Sequence, residues 1–235
     1  MKYIEVKDYE TLSKKTADII AAQVLVKPNC VLGLATGSSP EGAYAELVKM
    51  NKEGVVDFSE VTTFNLDEYC GLDGSNDQSY RYFMDNHLFN HININKDETN
   101  VPSGKASDFA KEGEEYDKKV EKRGGIDLQL LGIGPDGHIG FNEPCDEFVG
   151  PTHQVSLDPS TIEANARFFD SVDDVPTTAI TMGMKTIMQA KKILMIASGE
   201  KKYDILQKAM FGPITPMVPA SILQLHPDVT VIYSK

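Results

Sequence analysis

Apolar and polar positions along the chain switch repeatedly between two periods, which predicts an alternation of strands and helices. Short, nearly continuous apolar runs predict buried strands at residues 1–6, 30–35, 61–66, 126–131, 178–182, 193–197 and 229–233, with a short candidate strand at 154–157. Apolar residues at helical spacing predict helices at 9–26, 78–90 and 107–123, and further helices beginning near Pro40, Asp158 and Ser198. Continuous apolar strands between helices favour a mainly parallel, open α/β sheet with helices on both faces. No repeat or linker divides the chain, so we expect a single domain over residues 1–235.

Composition narrows the classes of partner. The chain has 235 residues, of which 41% are hydrophobic and 25% are charged, as is typical of a soluble globular protein. Its net charge of −12 argues against nucleic acid or an anionic membrane as a partner. Small anionic ligands stay possible because a local cluster of donors can override the overall sign. No apolar run approaches the length of a membrane span.

The cysteines point to a reducing compartment. There are three, without a C-x-x-C spacing, so the sequence predicts neither a disulfide framework nor a zinc cage. The first residues form a strand pattern and not a signal peptide. We therefore expect a cytoplasmic protein.

The loop after the strand at 126–131 carries the densest group of titratable side chains. It reads G-I-G-P-D-G-H-I-G-F-N-E-P over residues 132–144 and contains Asp136, His138 and Glu143. Ionised groups are costly to bury unless they are paired, while glycines allow a sharp turn and a close approach to a ligand. A solvated turn with a chance histidine is the alternative, and this loop alone leaves both interpretations open.

Two further loops change that balance. A Gly/Ser loop, Thr36 to Ser39, follows one strand and opens a helix, where free N–H groups suit a phosphate. Ser38 and Glu41 also have capping-box spacing and the P-loop lysine is absent, so a simple capped helix is the alternative. Asp67 and Glu68 follow the strand at 61–66, where open α/β sheets bind ligands, although they could equally cap a turn and face water.

Basic residues follow two other segments. Arg167 lies beside two aromatic residues, so it is either a packed stem or a guanidinium directed at an anion. Lys201 and Lys202 open a helix, where their charges oppose the helix dipole; such local conflicts tend to mark functional sites. Because the loops that carry Thr36, Asp67, Asp136 and Lys202 all follow strands, we expect them at one edge of the sheet.

Together these groups favour acid–base chemistry on a phosphorylated substrate. The chain has no G-x-G-x-x-G motif and no obvious metal-ligand set. Proton transfer next to a carbonyl then suits aldose–ketose chemistry on a sugar phosphate.

The motifs resemble those of the glucosamine-6-phosphate deaminase family in the same order and over nearly the whole chain. The resemblance rests on the loop at 132–144, on F-N-L-D-E-Y at 64–69 and L-A-T-G-S-S-P at 34–40, and on A-R-F-F-D at 166–170 and L-Q-L-H-P at 223–227. It implies a Rossmann-like fold and hydrolytic conversion of glucosamine 6-phosphate to fructose 6-phosphate and ammonia, in amino-sugar catabolism. It also implies that neither a metal nor an organic cofactor takes part.

The resemblance assigns roles residue by residue. Asp67 would take the C2 proton, and His138 would assist opening of the pyranose ring, oriented by Asp136 and Glu143. The substrate phosphate would be held by Thr36, Gly37, Ser38, Ser39, Arg167 and Lys202, with Lys201 as the alternative to Lys202. Gly140 stands where the family leads us to expect alanine, a change that should not alter the chemistry.

Two competing interpretations remain. A 6-phosphogluconolactonase resembles this family and shares a G-x-D-G-H loop, but its histidine should be followed by an S-L-F-P-G-like run and not by F-N-E-P. A non-catalytic sugar-phosphate sensor should carry a DNA-binding helix-turn-helix, for which this acidic chain has no room. Ammonia release from glucosamine 6-phosphate would separate the three.

The resemblance also predicts an unregulated enzyme. Longer family members are hexamers that bind an activator phosphate with basic residues soon after F-N-E-P and with a C-terminal extension. Residues 144–155 contain no Arg or Lys, and the sequence stops directly after its last strand. We therefore expect no activation by N-acetylglucosamine 6-phosphate, and a monomer or small homo-oligomer.

Overall fold

A computed structural model describes residues 1–166, 169, 171 and 174–235. Its strands are β1 (Lys2–Val6), β2 (Val31–Leu34), β3 (Thr62–Asn65), β4 (Asp67–Tyr69), β5 (Thr99–Asn100), β6 (Leu128–Leu131), β7 (His153–Ser156), β8 (Thr178–Thr181), β9 (Ile193–Ser198) and β10 (Val229–Ser234). Its α-helices are α1 (Tyr9–Val26), α2 (Glu41–Lys52), α3 (Tyr80–Met84), α4 (Phe109–Lys122), α5 (Pro159–Asn165), α6 (Met184–Met188) and α7 (Tyr203–Phe211). Shorter 3₁₀ turns cover Lys96–Glu98, Glu200–Lys202 and Pro219–Leu225.

A seven-stranded parallel sheet forms the centre of the molecule. Its strand order is β1-β10-β9-β6-β2-β3-β5, and every neighbouring pair is parallel. Alternate side chains of the strands enter two separate hydrophobic clusters, one on each face. In β9, Met195 joins the cluster that contains α4 and α7, whereas Leu194 joins the cluster that contains α1 and α2. The predicted parallel sheet with helices on both faces is confirmed.

A second sheet, of three antiparallel strands, was not predicted as a separate unit. Its order is β4-β8-β7, and Asp67 of β4 pairs with Thr181 of β8. The chain leaves β3 at Asn65 and enters β4 two residues later, so only Leu66 separates the sheets. Asp67 therefore lies just beyond the carboxyl end of the parallel sheet.

The bounds of α1 agree with the helix predicted from the periodicity, whereas those of α3 differ. The first helix covers residues 9–26 as predicted, and Asp8 caps it by accepting from the Thr11 N–H at 2.8 Å. The helix predicted at 78–90 begins later, at Tyr80, and passes into a π-helical turn at Asp85–Phe89. None of the helices among the described residues is long and apolar enough to cross a membrane.

The predicted capping box at the start of α2 is wrong. Pro40 is the N-cap residue, and no side chain caps the helix. Ser38 lies two positions before that N-cap, so its hydroxyl is not placed as a capping box requires. The loop is held instead by Tyr9, whose hydroxyl donates to the Ser38 carbonyl at 2.9 Å and accepts from the Gly42 N–H at 2.9 Å.

Candidate active site

The carboxyl ends of four adjacent central strands meet at one edge of the sheet. These strands are β9, β6, β2 and β3, and the segments directly after them carry Lys202, Asp136, Thr36 and, at the start of β4, Asp67. Two of these loops touch directly, since Lys202 Nζ donates to the Ile133 carbonyl at 2.7 Å. Parallel strands of an open sheet place their ligand sites at this edge.

Two glycines shape the loop after β6. Gly137 has φ +95° and its N–H donates to the Gly134 carbonyl at 3.2 Å, which closes a tight turn. A Cβ at Gly134 would lie 2.3 Å from the His138 ring, so the imidazole rests directly on this backbone. The glycine spacing of the motif therefore serves to fold the loop around one side chain.

The ring of His138 lies between two carboxylates. Its Nδ1 is 2.8 Å from Asp136 Oδ1 and 3.2 Å from Glu143 Oε2. Asp136 Oδ1 also accepts the His138 backbone N–H at 3.1 Å, so one carboxylate orients both parts of the residue. The other oxygen of Glu143 accepts from Thr161 Oγ1 at 2.7 Å. Thr161 was missed by the sequence reasoning, because only the fold brings α5 to this loop.

In this loop, the attraction between opposite charges outweighs burial in its effect on the pKa values of Asp136 and His138. Burial alone would raise the pKa of Asp136, but hydrogen bonding and attraction to His138 outweigh it and hold that pKa well below its usual range. Burial likewise favours a neutral imidazole, yet the two carboxylates raise the pKa of His138 to about 9. The two neighbouring carboxylates therefore favour the imidazolium form of His138.

Asp67 has the opposite environment. Its side chain is only 6% exposed, and burial followed by the charge of Glu68 raises its pKa to about 8, against the opposing effect of His138. A Cβ at Gly140, where φ is +59°, would lie 3.4 Å from Asp67 Oδ2 and 2.8 Å from Thr181 Oγ1. Gly140 thus borders the Asp67 carboxylate. That glycine in place of alanine leaves the chemistry unchanged stays a prediction.

Glu68 does not face water. It is 2% exposed and accepts hydrogen bonds from the backbone and from Ser79, so that alternative is excluded. Burial, opposed by these hydrogen bonds, raises the pKa of Glu68. The sequence indicated an acid at this position but gave no sign that the chain would fold back over it.

The proposed phosphate contacts are partly described. Thr36, Gly37 and Ser39 are half-buried and Ser38 is exposed. Lys202 is half-buried and directed at the loop after β6, whereas Lys201 is exposed, so the geometry favours Lys202. Arg167 lies outside the described residues.

The site has a donor set that could accept a cation. Asp136, His138 and Glu143 each offer one ligand atom, and these atoms lie within 4.8 Å of one another. Carboxylate and imidazole are ordinary ligands of divalent metals. The expectation of a metal-free reaction therefore stays a prediction.

Two surface cavities lie elsewhere, along α4. Their volumes are about 280 and 750 Å³, and Asp117 and Glu121 line both. None of the predicted site residues lines either cavity. Their acidic walls do not suit a phosphate.

Comparisons with known proteins agree with the family resemblance of the site motifs. The family model described as glucosamine-6-phosphate isomerases/6-phosphogluconolactonase matches residues 7–232. A glucosamine-6-phosphate deaminase of Lachnoclostridium phytofermentans is 60% identical, with 99% of this chain and 98% of the relative covered. The corresponding protein of Clostridium botulinum is 54% identical, with 100% and 96% covered.

Solved structures extend the comparison to the fold. A monomeric glucosamine-6-phosphate deaminase matches with a TM-score of 0.98 and 44% identity, over 100% of this chain and 98% of that one. A 6-phosphogluconolactonase from Shewanella baltica matches with a TM-score of 0.78 and 19% identity, over 100% and 98%, which shows the fold alone. The chain belongs to the glucosamine-6-phosphate isomerase/6-phosphogluconolactonase family.

Proposed function

We propose that the protein is a glucosamine-6-phosphate deaminase, which converts glucosamine 6-phosphate and water to fructose 6-phosphate and ammonia. The observation that carries this function is the pairing of two unlike proton-transfer groups at one sheet edge. Asp67 is buried without a lysine or arginine ion-pair partner among the described residues and has its pKa raised to about 8. His138 is charge-paired and has its pKa raised to about 9. Proton transfer at two positions of one substrate needs such a pair.

The order of events is the one that the resemblance to the deaminase family implies. The loop at Thr36–Ser39 and Lys202 would hold the phosphate, together with Arg167. His138 would move the proton that opens the pyranose ring, while Asp136 and Glu143 fix its orientation. The open chain then presents an aldehyde at C1 next to the carbon that bears the amine.

Asp67 would act at that carbon. Its carboxylate takes the C2 proton, the electron pair forms a C1–C2 double bond, and the π pair of the C1 carbonyl moves to its oxygen, which takes a proton, giving an enolamine. Return of a proton to C1 leaves an imine at C2, to which water adds, and ammonia leaves. A carboxyl group with a pKa near 8 is a stronger base than an ordinary aspartate and still ionises at neutral to mildly alkaline pH.

Lactone hydrolysis is the alternative activity within the family. Solved lactonases that match this chain, from Shewanella baltica and Trypanosoma cruzi, are each 19% identical to it and share its fold. Curated relatives at 54–60% identity over nearly the full length are deaminases. The deaminase assignment also agrees with F-N-E-P after His138, whose glutamate contacts the imidazole.

The decisive experiment measures ammonia and fructose 6-phosphate released from glucosamine 6-phosphate by the purified protein. We expect equal amounts of both products and no acceleration of 6-phosphogluconolactone hydrolysis. The reverse pattern would establish a lactonase, and activity on neither would contradict both assignments. Dialysis against EDTA should leave the rate unchanged, and a loss restored by one divalent metal would contradict the metal-free mechanism.

Assembly and location follow as parts of the same proposal. The solved deaminase with a TM-score of 0.98 is monomeric, which supports a monomer here. All three cysteines are free thiols, which supports the cytoplasmic location expected from the sequence. Light scattering of the purified protein at several concentrations tests the first point.

A further inference from the structure

The buried carboxylate of Glu68 receives four hydrogen bonds from two segments of the chain. The N–H of Tyr69 donates to Oε1 at 2.9 Å from within the same strand. Three donors come from the start of α3: Ser79 Oγ to Oε2 at 2.8 Å, the Tyr80 N–H to Oε1 at 2.9 Å, and the Arg81 N–H to Oε2 at 3.0 Å. Glu68 therefore joins two positions that are eleven apart in the sequence, 68 and 79, and caps the first turn of α3.

This closure places an aromatic ring over the active-site loop. Tyr80, which Glu68 holds through its N–H, packs on Tyr69 at 4.9 Å between ring centroids and stacks on Phe141 at 5.9 Å with an interplanar angle of 12°. Phe141 follows Gly140, which borders the Asp67 carboxylate. The Glu68 carboxylate thus joins the strand that carries Asp67 to Tyr80, and through Tyr80 to Phe141 of the loop beside Asp67.

Glu68 also adds a negative charge next to Asp67 in sequence. The pKa of Asp67 is raised first by burial and then by this charge, while His138 lowers it. The other titratable groups that interact with Asp67 are the phenols of Tyr80 and Tyr116, both neutral at physiological pH because burial raises their pKa. Glu68 and His138 are thus the two groups whose charges shift the pKa of Asp67 among the described residues.

We infer that Glu68 is a positioning residue for the C2 base, which anchors β4 to α3 and keeps a negative charge beside Asp67. The inference rests on the proposed deaminase activity. Glu68 does not touch the reacting carbons, and it acts through Asp67 and Tyr80. It therefore has two separable effects, one on geometry and one on charge.

Two substitutions separate these effects. Glu68→Gln removes the charge and replaces one of the two accepting oxygens by an amide nitrogen that cannot accept, so kcat should fall and the acid side of the kcat profile should also move to lower pH, by about 1 unit. Glu68→Asp keeps the charge but withdraws the carboxylate by one methylene, so kcat should fall at least tenfold while KM and the profile stay unchanged. The amine and phosphate of the substrate titrate equally in every variant, so differences between variants report on the protein.

Asp127→Asn is the matched control. Asp127 is another buried carboxylate that accepts a backbone N–H, but it lies at the opposite end of the sheet. Its loss should lower the melting temperature without moving the pH profile, and this distinguishes a specific effect on Asp67 from general destabilisation.

The outcomes decide the inference. A folded Glu68→Gln protein with the wild-type profile would overturn the charge effect, and a Glu68→Asp protein with wild-type kcat would overturn the anchoring effect. Should Glu68→Gln fail to fold, kcat and KM of Glu68→Asp still decide the anchoring role. Absence of ammonia release by the wild-type protein would instead refute the deaminase assignment, so the two failures cannot be confused.

Discussion

Asp67 and Asp127 are two buried aspartates at the ends of central strands, and their environments are opposite. Asp127 is 4% exposed and lies at the amino end of β6. It accepts the Val31 N–H at 2.8 Å and forms ion pairs with Lys27 and Lys191, each at 2.7 Å. Burial would raise the pKa of Asp127, but these partners outweigh it and lower that pKa.

Asp67 is nearly as buried but lacks such partners. Among the residues that the structure describes, no lysine or arginine forms an ion pair with it, and its pKa rises to about 8. An unpaired buried carboxylate opposes folding whenever it is ionised. The contrast supports the proposed role of Asp67 in proton transfer and a stabilising role for Asp127, since perturbed groups of this kind concentrate at functional sites.

Replacing the unpaired acid should have the largest effect on catalysis. We expect Asp67→Asn to lower kcat by about 10²–10⁴-fold or more, because the base for the C2 proton is gone, while the KM for glucosamine 6-phosphate changes little. Ammonia release measured across substrate concentrations checks this. A near-normal kcat would exclude Asp67 as the base.

The same variant should be at least as stable as the wild type. Burial raises the pKa of Asp67 to about 8 in the folded state, whereas an unfolded aspartate has its ordinary pKa of 3.8. The folded state therefore binds more protons between these values, and the contribution of Asp67 to stability falls as the pH rises through this window. Asn does not titrate, so the advantage of the variant in thermal melts should grow from pH 5 to pH 8.

The sequence predicts this arrangement only in part. Long apolar runs and helical periodicity were sufficient for the parallel sheet and for α1, because local patterns determine these elements. The antiparallel sheet of β4, β7 and β8 depends on pairing between strands distant in the sequence, and β4 is only three residues long and begins with two acids. Its pattern resembles an exposed turn.

The prediction of site residues from local sequence patterns is limited in the same way. Asp136, His138 and Glu143 were predicted because one loop carries them with glycines between, and both carboxylates lie within 3.2 Å of the imidazole Nδ1. Thr161 and Tyr9 were missed, since each reaches its loop from a helix elsewhere in the chain. A contact across the fold leaves no mark in local spacing.

The lysines near Asp127 and Lys202 near the candidate active site provide the next test. At Asp127 the lysines neutralise the acid, whereas Lys202 is directed at the loop after β6, where it can meet a phosphate. Lys202→Ala should raise KM by about 10- to 100-fold with little change in kcat, since a charge-assisted contact is worth roughly 1.5–3 kcal/mol. Lys201→Ala is the matched control and should behave as the wild type. The opposite result would move the phosphate contact to Lys201.

A smaller effect is expected when the paired acid loses its charge. Asp127→Asn should cost about 2 kcal/mol of stability at neutral pH, because charge-assisted hydrogen bonds are lost, and lower the melting temperature by about 4–8 °C. Its folded pKa is depressed, so this stability is present above the unfolded value and is lost as the pH falls through the folded one. The two proteins should therefore converge in acid, and kcat at 25 °C should stay unchanged. A drop in kcat would mean that Asp127 also supports the site.

The smallest effect, none at all, is expected from N-acetylglucosamine 6-phosphate. Binding of an activator phosphate needs cationic side chains, such as the lysines that pair with Asp127 or Lys202, the proposed contact of the substrate phosphate. Residues 144–155, which follow Glu143, contain no Arg or Lys, and their exposed acids Asp146 and Glu147 would repel a phosphate. Allosteric activation requires a second site with different affinities for two states, and this segment lacks the charges to form it. Velocity curves should be hyperbolic and unchanged by the compound, apart from competition at the active site. Sigmoidal curves that become hyperbolic on its addition would show that a phosphate site exists elsewhere on the molecule.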